Sequence, residues 1–194
     1  MNWPNQEYTA RPMIYSRINY EHLAVLQREL LAATIAQPMN IQPHTDGHSV
    51  AALIEFERLL LAPGHVPVAR ETLILTTGTA THAHRDTTPN RTPYRWSINI
   101  PLEGYEHSHT SFWHTKGRPQ GIITPTKTPS IPYSWPLERC KLIDSYATNS
   151  IFLMDTHVPH SIHSDPNKTL LRRTYMLRMG LEFDPTQHLL VNYE

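Results

Sequence analysis

The chain has 194 residues, enough for one domain with a sizeable core, and its 17 Lys and Arg residues balance 17 Asp and Glu residues. This balance argues against a nucleic-acid partner, and no apolar run approaches the roughly 20 residues that span a bilayer, so we expect no membrane partner. A single cysteine and an N-terminus unlike a signal peptide favour a cytoplasmic setting.

Two helices are predicted in the first third of the chain, after a short strand over residues 12–18. Apolar residues recur at close to helical spacing over residues 20–36, with Asn19 as the predicted N-cap. A second helix is predicted over residues 49–62. We expect both helices to pack on the outside of a sheet.

From residue 66 onward the pattern changes to short strands separated by Pro-rich loops. The strands are predicted over residues 70–77, 94–102, 109–114, 121–124, 139–146, 150–155 and 170–183. Loops over residues 87–93, 117–120 and 125–136 separate some of them. Helices followed by short strands predict a mainly β fold with N-terminal helices and a double-stranded β-helix core, the jelly-roll or cupin architecture.

The whole chain, residues 1–194, is predicted to form a single domain. Its parts are helical support over residues 1–65, the β-helix core over residues 66–183 and a C-terminal tail over residues 184–194.

A metal-binding pattern occurs at His84-Arg85-Asp86. His84 and Asp86 are two residues apart, so on a β-strand their side chains share a face, with Cα atoms about 6.5–7 Å apart. An imidazole and a carboxylate in this arrangement can hold one metal ion and leave most of its coordination sphere free. A second histidine would complete the two-His, one-carboxylate set of the non-heme iron oxygenases.

The second histidine has three candidates, His157, His160 and His163, in a His-rich turn that follows an apolar strand. The next strand contains two adjacent arginines, Arg172 and Arg173. The order is therefore His-x-Asp, a gap of several strands, a distal histidine and then an arginine.

This ordered set resembles the iron(II)/2-oxoglutarate-dependent oxygenases, in particular the short branch related to the aspartyl/asparaginyl β-hydroxylases. The similar segments are residues 84–86, 95–102, 108–113 and 155–162 with the Arg strand that follows, and the resemblance extends over residues 70–183. It implies that Fe(II) is bound by His84, Asp86 and a distal histidine, with 2-oxoglutarate as cosubstrate. The β-hydroxylases themselves lack the Asp, so the chain departs from them toward the commoner His-x-Asp…His triad.

The family pattern favours His160 as the distal ligand, in Val-Pro-His-Ser-Ile. His163 is the runner-up, because the gap from it to Arg173 resembles the shorter family gap. His157 remains a third candidate.

The far carboxylate of 2-oxoglutarate needs a buried cation, ideally the planar guanidinium of an arginine. Arg172 and Arg173 are adjacent, so their side chains point to opposite faces of the strand. The face of Arg173 is the more apolar one and is predicted to line the barrel interior. Arg172 remains an alternative, because Arg172-x-Thr174 resembles the motif of other family branches. By resemblance Arg95 also points inward and could reach the cosubstrate.

The resemblance implies hydroxylation of an unactivated C–H bond in an amino acid, a peptidyl residue or a small metabolite. Dioxygen would be consumed, and succinate and CO2 released. Two other functions stay open: a cupin-like metal-dependent isomerase or hydrolase without 2-oxoglutarate, and a non-catalytic binding module on the same fold. The loops over residues 87–93 and 115–136 are expected to cover the pocket mouth.

Overall fold

A computed structural model describes residues 15–35, 43–44, 50–76, 80–86, 94–122, 131–165, 167 and 171–190. Its helices are α1 (Leu23–Ile35), α2 (Ala51–Leu60) and the short α3 (Pro185–His188). Its strands are β1 (Tyr15–Ile18), β2 (Pro43–His44), β3 (Ala69–Thr76), β4 (His82–His84), β5 (Tyr94–Glu103), β6 (Ser108–Thr115), β7 (Gln120–Ile122), β8 (Ile131–Pro136), β9 (Cys140–Ala147), β10 (Ile151–Asp155), β11 (His160–Ser164) and β12 (Leu171–Gly180).

The described strands form two antiparallel sheets of six strands each. The first, which we call the helix-backed sheet, has the order β1-β10-β5-β12-β3-β2. The second sheet has the order β7-β8-β4-β11-β6-β9. The predicted mainly β fold is therefore confirmed. None of the described helices is long and apolar enough to cross a membrane.

The larger hydrophobic core lies between the helix-backed sheet and helices α1 and α2. The helices contribute apolar side chains at helical spacing, Leu26 and Leu30 from α1 and Leu53, Phe56 and Leu60 from α2. The sheet contributes alternate residues of its central strands, Trp96, Ile98 and Ile100 from β5 and Tyr175, Leu177 and Met179 from β12. Each fully buried apolar side chain of this size stabilises the fold by about 1.5–3 kcal/mol. The helices thus pack on the outer face of the sheet, as predicted.

The opposite face of the helix-backed sheet looks toward the second sheet and is more polar. Its central positions include Ser97 and Asn99 on β5, which pair with Arg178 and Met176 on β12. A smaller apolar cluster fills part of this inter-sheet space, with Phe112 of the second sheet against residues of β10. The face of β5 and β12 that contacts the helices is therefore apolar and packs into the core, and the face toward the second sheet carries polar side chains.

Both predicted helices are present, with shorter bounds. Asn19 is not the N-cap of α1, because α1 begins at Leu23 and a turn precedes it in which the Leu23 amide donates to the Tyr20 carbonyl at 3.2 Å. Residue 36 and residue 49, at the outer limits of the two predictions, lie outside the described residues.

Four of the described strands were not predicted as such: β2, β4, β8 and β11. β8 lies in a predicted loop, because prolines at 132 and 136 argue against a strand inside a sheet, yet β8 pairs with both β7 and β4. β11 lies in the predicted His-rich turn, and the three-residue β4 ends at His84, so Asp86 lies just beyond the strand. At the C-terminus β12 ends at Gly180 rather than at residue 183, and α3 forms within the predicted tail.

The segments over residues 87–93 and 115–136 were expected to cover the pocket mouth; residues 87–93 and 123–130 lie outside the described residues, and the rest of the second segment includes β7 and β8. The predicted loop over residues 117–120 is irregular up to residue 119, and Gln120 begins β7.

Gly104, in the turn between β5 and β6, provides a test of this architecture. Its φ is +65°, and a Cβ placed there would collide with the backbone carbonyl of Leu171, where β12 begins. We predict that Gly104→Ala lowers the free energy of unfolding by about 2 kcal/mol or more, measured by urea denaturation.

The matched control is Gly117→Ala. Gly117 also has a positive φ, +79°, but a Cβ there would meet nothing within 4 Å. It should lose only about 1 kcal/mol, the cost of the left-handed conformation. Equal losses at the two positions would contradict the close approach of Leu171 to Gly104.

Candidate metal centre

Two neighbouring strands of the second sheet bring two histidines together. His84 is the last residue of β4 and His160 is the first residue of β11, and the two are directly opposite in the antiparallel pair. Asp86 follows β4, and its backbone N–H donates to the Thr156 carbonyl at 3.2 Å. Strand pairing and one loop hydrogen bond therefore position all three side chains.

The ligand atoms of these side chains converge. The Nε2 atoms of His84 and His160 lie 3.3 Å and 3.6 Å from Oδ1 of Asp86, and one ligand atom from each residue lies within 4.8 Å of the others. Ligands that share one metal ion at about 2.0–2.2 Å each lie roughly 3–3.5 Å apart. Among the described residues this is the one group of three or more His, Cys, Asp or Glu side chains that could hold a metal ion.

The tautomer of His160 and the lowered pKa of His84 both favour metal binding. Nδ1 of His160 lies 2.9 Å from the Val158 carbonyl, which can only accept, so the proton is on Nδ1 and the lone pair of Nε2 points to the site. Burial, followed by the nearby His160, lowers the pKa of His84 despite the opposing effect of Asp86. His84 is therefore neutral at pH 7, as a metal ligand must be.

Asp86 is held by an arginine from the opposite sheet. Arg178 of β12 donates from Nη1 to Oδ2 of Asp86 at 2.9 Å and from Nε to Oε2 of Glu71 at 3.1 Å. Its guanidinium also lies over the ring of Tyr94, 4.7 Å from the centroid, and its side chain is nearly fully buried. One oxygen of Asp86 thus binds Arg178, and the other faces the two histidines.

Arg178 also determines the charge of Asp86. Burial alone would raise the pKa of this carboxyl group, but the charge of Arg178, followed by that of His160, holds the pKa well below its usual range. Asp86 is therefore an ionised ligand. Arg178 has no local motif of its own, and the signal for it is the row of polar residues at Arg172, Thr174 and Arg178 on one face of β12.

His163 and His157, the other two candidate ligands, do not join His84 and Asp86. His163 lies on the opposite face of β11, where its ring stacks on His109 at 5.0 Å and its Nε2 lies 2.7 Å from Oγ of Ser161. His157 is in the turn before β11, and its backbone N–H donates to Oδ1 of Asp155. Of the three candidate histidines, His160 is the one that the structure places beside His84 and Asp86.

The predicted inward position of Arg173 is wrong. Arg173 lies on the helix-facing side of β12, where its Nε is 3.2 Å from Oε1 of Glu103 and its Nη1 donates to Thr34 of α1 at 3.4 Å. The more apolar face of β12 packs against the helices rather than lining the space between the sheets. The structure therefore does not bring Arg173 to the metal-binding group.

Arg172, the alternative, lies on the inner face of β12. Its side chain is 3% exposed, and its Nε and Nη1 have no hydrogen-bond partner among the described residues. Burial lowers its pKa to about 10, so it is still a cation at pH 7. A buried guanidinium with unsatisfied donors is energetically costly unless an anion binds to it.

Arg95, the second predicted cosubstrate contact, is bound to a carboxylate. Its Nη2 and Nε donate to Oδ2 of Asp155 at 2.8 Å and 3.0 Å, and its guanidinium lies over the ring of Trp96. The predicted contact with a cosubstrate gains no support from this arrangement.

The fold and this site define a mainly β protein with a candidate His/Asp metal centre. No protein-family model matches the chain, and no curated protein sequence matches it. Fifteen solved chains match, and EvdMO1 is one of them, with 14% identity over 87% of this chain and 46% of its own, and a TM-score of 0.43. AviO1 from Streptomyces viridochromogenes Tue57 has 12% identity over 88% of this chain and 90% of its own, with a TM-score of 0.41. The chain thus spans less than half of EvdMO1, and likeness at this level supports no conclusion about activity.

The ligand assignment predicts a clear pattern of metal affinities. Replacing His84, Asp86 or His160 by Ala should weaken the binding of a divalent metal ion by about 100-fold or more, because one of three protein ligands is lost. His157→Ala and His163→Ala should leave the affinity unchanged. Anaerobic competition with a chelating dye measures these affinities, and a loss at His163 equal to that at His160 would contradict the assignment.

Arg178→Met should weaken metal binding by about 10–100-fold although Arg178 is not a ligand, because Asp86 loses the partner that orients it. The pKa of Asp86 should also rise, so the loss should grow as the pH falls and the carboxyl group takes up a proton.

Arg70→Met is the matched control for Arg178→Met. It removes the ion pair with Glu57 on the helix-facing side of the sheet, where Nη2 and Oε2 lie 2.6 Å apart. The same dye competition should find its metal affinity unchanged. Equal affinities for the two Arg→Met variants at every pH would show that Arg178 does not act on Asp86.

Proposed function

We propose that the protein is an Fe(II)- and 2-oxoglutarate-dependent oxygenase, related to the short aspartyl/asparaginyl β-hydroxylase-like branch. The observation that carries the proposal is the combination of His84, Asp86 and His160 with a buried arginine, Arg172, that lacks a partner among the described residues on the inner face of the facing sheet.

The strand order supports a double-stranded β-helix core. Eight strands divide into two sets of four, in the orders β10-β5-β12-β3 and β9-β6-β11-β4. Consecutive strands from β3 to β6, and again from β9 to β12, belong to alternate sheets, as in a jelly roll. β7 and β8 then form an insertion at the edge of the second sheet.

The donor set fits Fe(II) well. Two neutral imidazoles and one carboxylate, with the other positions open, form the arrangement that non-heme iron oxygenases use. Because Oδ2 of Asp86 binds Arg178, Asp86 offers one oxygen to a metal ion. Several coordination positions would therefore remain free for a chelating cosubstrate and for dioxygen.

The balance of buried charge supports a dianionic cosubstrate. In the ion pairs of Arg178 among the described residues, Asp86 and Glu71 carry two negative charges and Arg178 one positive charge, a sum of one negative charge. A divalent cation would change the net charge to +1, and Arg172 would bring the total to +2. A doubly charged 2-oxo acid, bound at the metal and at Arg172, would neutralise this excess.

When bound, Fe(II) and 2-oxoglutarate supply oxidative decarboxylation of the cosubstrate to succinate and CO2, coupled to oxygen insertion into a C–H bond. The chain contributes the surroundings. Arg178 orients Asp86, Val158 fixes the tautomer of His160, and Arg172 would bind the far carboxylate of the cosubstrate. Phe112, whose ring centroid lies 6.4 Å from that of His160, begins the apolar cluster that excludes water on one side.

The substrate class of the proposed oxygenase is an amino acid, a peptidyl residue or a small metabolite. A metal-dependent isomerase or hydrolase could use the same three ligands. It would leave the buried charge of Arg172 without a role.

Arg172 and Arg173 form an adjacent pair that tests the proposal. Arg172→Gln should weaken 2-oxoglutarate binding by roughly 10–100-fold, because charge-assisted hydrogen bonds to its carboxylate are lost. Arg173→Gln should leave it unchanged, because Arg173 faces the helices. Anaerobic titration of the Fe(II)-loaded protein, followed by the metal-to-ligand absorption band, measures the affinity.

Succinate formation in air, assayed with the same proteins, tests the reaction itself. The wild-type protein should release succinate only when both Fe(II) and 2-oxoglutarate are present. Tight zinc binding with no effect of added iron or 2-oxoglutarate would contradict the oxygenase proposal and favour the isomerase or hydrolase.

A further inference from the structure

A series of aromatic rings begins beside the candidate metal centre and leads away from it. The ring of Phe112 on β6 is fully buried, and its centroid lies 6.4 Å from that of His160. Tyr15 on β1 stacks on Phe112, with 5.2 Å between the centroids and 10° between the ring planes. The ring of Tyr146 on β9 follows, 4.9 Å from that of Tyr15. Strands of both sheets therefore hold a continuous row of rings that starts at a metal ligand.

The hydroxyl group of Tyr15 has a partner that can take up its proton. It donates to Oδ2 of Asp144 at 3.0 Å, and Asp144 is exposed. An ionised carboxyl group only accepts hydrogen bonds and can bind a proton. The hydroxyl group of Tyr146 lies instead against the hydroxyl group of Ser150, which is not a base at neutral pH. Of these two tyrosines, Tyr15 is therefore the one that can lose an electron and a proton together.

Another tyrosine, Tyr94, lies near the metal centre, but a cation covers its ring. The guanidinium of Arg178, which binds Asp86, is 4.7 Å from the centroid of that ring. Removing an electron from the ring would bring two positive charges close together, which is unfavourable where the cation is buried. The charge of Arg178 therefore favours oxidation of Tyr15 over oxidation of Tyr94.

We propose that Tyr15 is a redox-active residue that reduces an over-oxidised metal centre through Phe112 when no substrate is bound. Electronic coupling falls steeply with distance, so rings in contact provide the shortest route. The benzene ring of Phe112 is harder to oxidise than a phenol, and it serves only as a bridge. Oxidising equivalents thus leave the metal centre before they damage its ligands.

The proposed step moves one electron and one proton. The oxidant is high-valent iron, which gains one electron from Tyr15 and falls by one oxidation state. The phenolic O–H bond breaks, its proton moves to Oδ2 of Asp144, and a neutral tyrosyl radical remains. This inference goes beyond the proposed oxygenase function and rests on it for the oxidising metal centre.

Electron paramagnetic resonance detects such a radical directly. We would load the full chain anaerobically with one equivalent of Fe(II), mix it with hydrogen peroxide and freeze it within seconds. Peroxide oxidises the bound iron without 2-oxoglutarate. Ring-deuterated tyrosine, incorporated into the same chain, identifies the radical as tyrosyl because the hyperfine splitting narrows.

The wild-type protein should form a tyrosyl radical. Tyr15→Phe should lower its yield about fivefold or more, because phenylalanine has no O–H group to lose. Asp144→Asn should lower the yield less, because the amide still accepts the hydrogen bond but does not take up the proton. Tyr133→Phe, at an exposed tyrosine of β8, is the matched control and should keep the yield. Competition with the chelating dye should find equal metal affinities in these proteins, whereas His160→Ala should lose both the metal and the radical.

The inference is overturned if the wild-type protein forms no tyrosyl radical, if Tyr15→Phe keeps the wild-type yield, or if Tyr94→Phe abolishes the radical. A radical that persists in His160→Ala also overturns it, because the oxidant then forms away from the metal centre. If Tyr15→Phe does not fold, peptide mass spectrometry of the peroxide-treated wild-type protein decides. The absence of an oxidation product at Tyr15 would then overturn the inference.

The succinate assay separates this inference from the oxygenase proposal. A tyrosyl radical with peroxide, but no succinate in air, would contradict the oxygenase proposal alone. Succinate formation without a tyrosyl radical would contradict the role of Tyr15 alone.

Discussion

The ion pair between Arg178 and Asp86 is the interaction on which the candidate site depends. It joins β12 of the helix-backed sheet to the residue that follows β4 in the second sheet. Without it, burial would favour the protonated form of Asp86, which is a poor metal ligand. Glu71 holds the other side of the same guanidinium. The geometry and the charge of the metal-binding group are therefore properties of the two sheets together.

The two faces of the helix-backed sheet explain where the charges lie. Arg173 faces the helices, where Glu103 balances its charge at the border of the larger core. Arg172 and Arg178 face the space between the sheets, where Arg178 binds Asp86 and Arg172 has donors without partners in the part of the chain that the structure describes. Unbalanced buried charge is costly, and the charge of Arg172 on this face is the reason for proposing an anionic cosubstrate there.

The sequence predicted the parts of the site that depend on local spacing. The side chains of His84 and Asp86 lie on the same side of the chain because the two residues are two positions apart. The family pattern predicted His160 as the distal ligand. The inward arginine was predicted wrongly, because the apolar face of β12 was assumed to line the barrel, whereas the larger core lies under α1 and α2. The sequence did not assign Arg178 to the site, since its contact with Asp86 spans 92 residues of chain and the polar face of β12 does not name its partner. β8 and β11 were not predicted as strands because their prolines and histidines obscure the strand pattern. The assignment to the oxygenase family stays a prediction.

The central claim is that His84, Asp86 and His160 bind one metal ion while Arg178 holds Asp86. Anomalous diffraction at the iron edge, measured from crystals grown anaerobically with Fe(II), tests this claim most directly. The predicted result is one anomalous peak about 2.0–2.2 Å from Nε2 of His84, Nε2 of His160 and Oδ1 of Asp86, while Oδ2 keeps its hydrogen bond to Arg178. A peak at the stacked His109–His163 pair instead, or an Asp86 that leaves Arg178 to bind the metal through both oxygens, would contradict it.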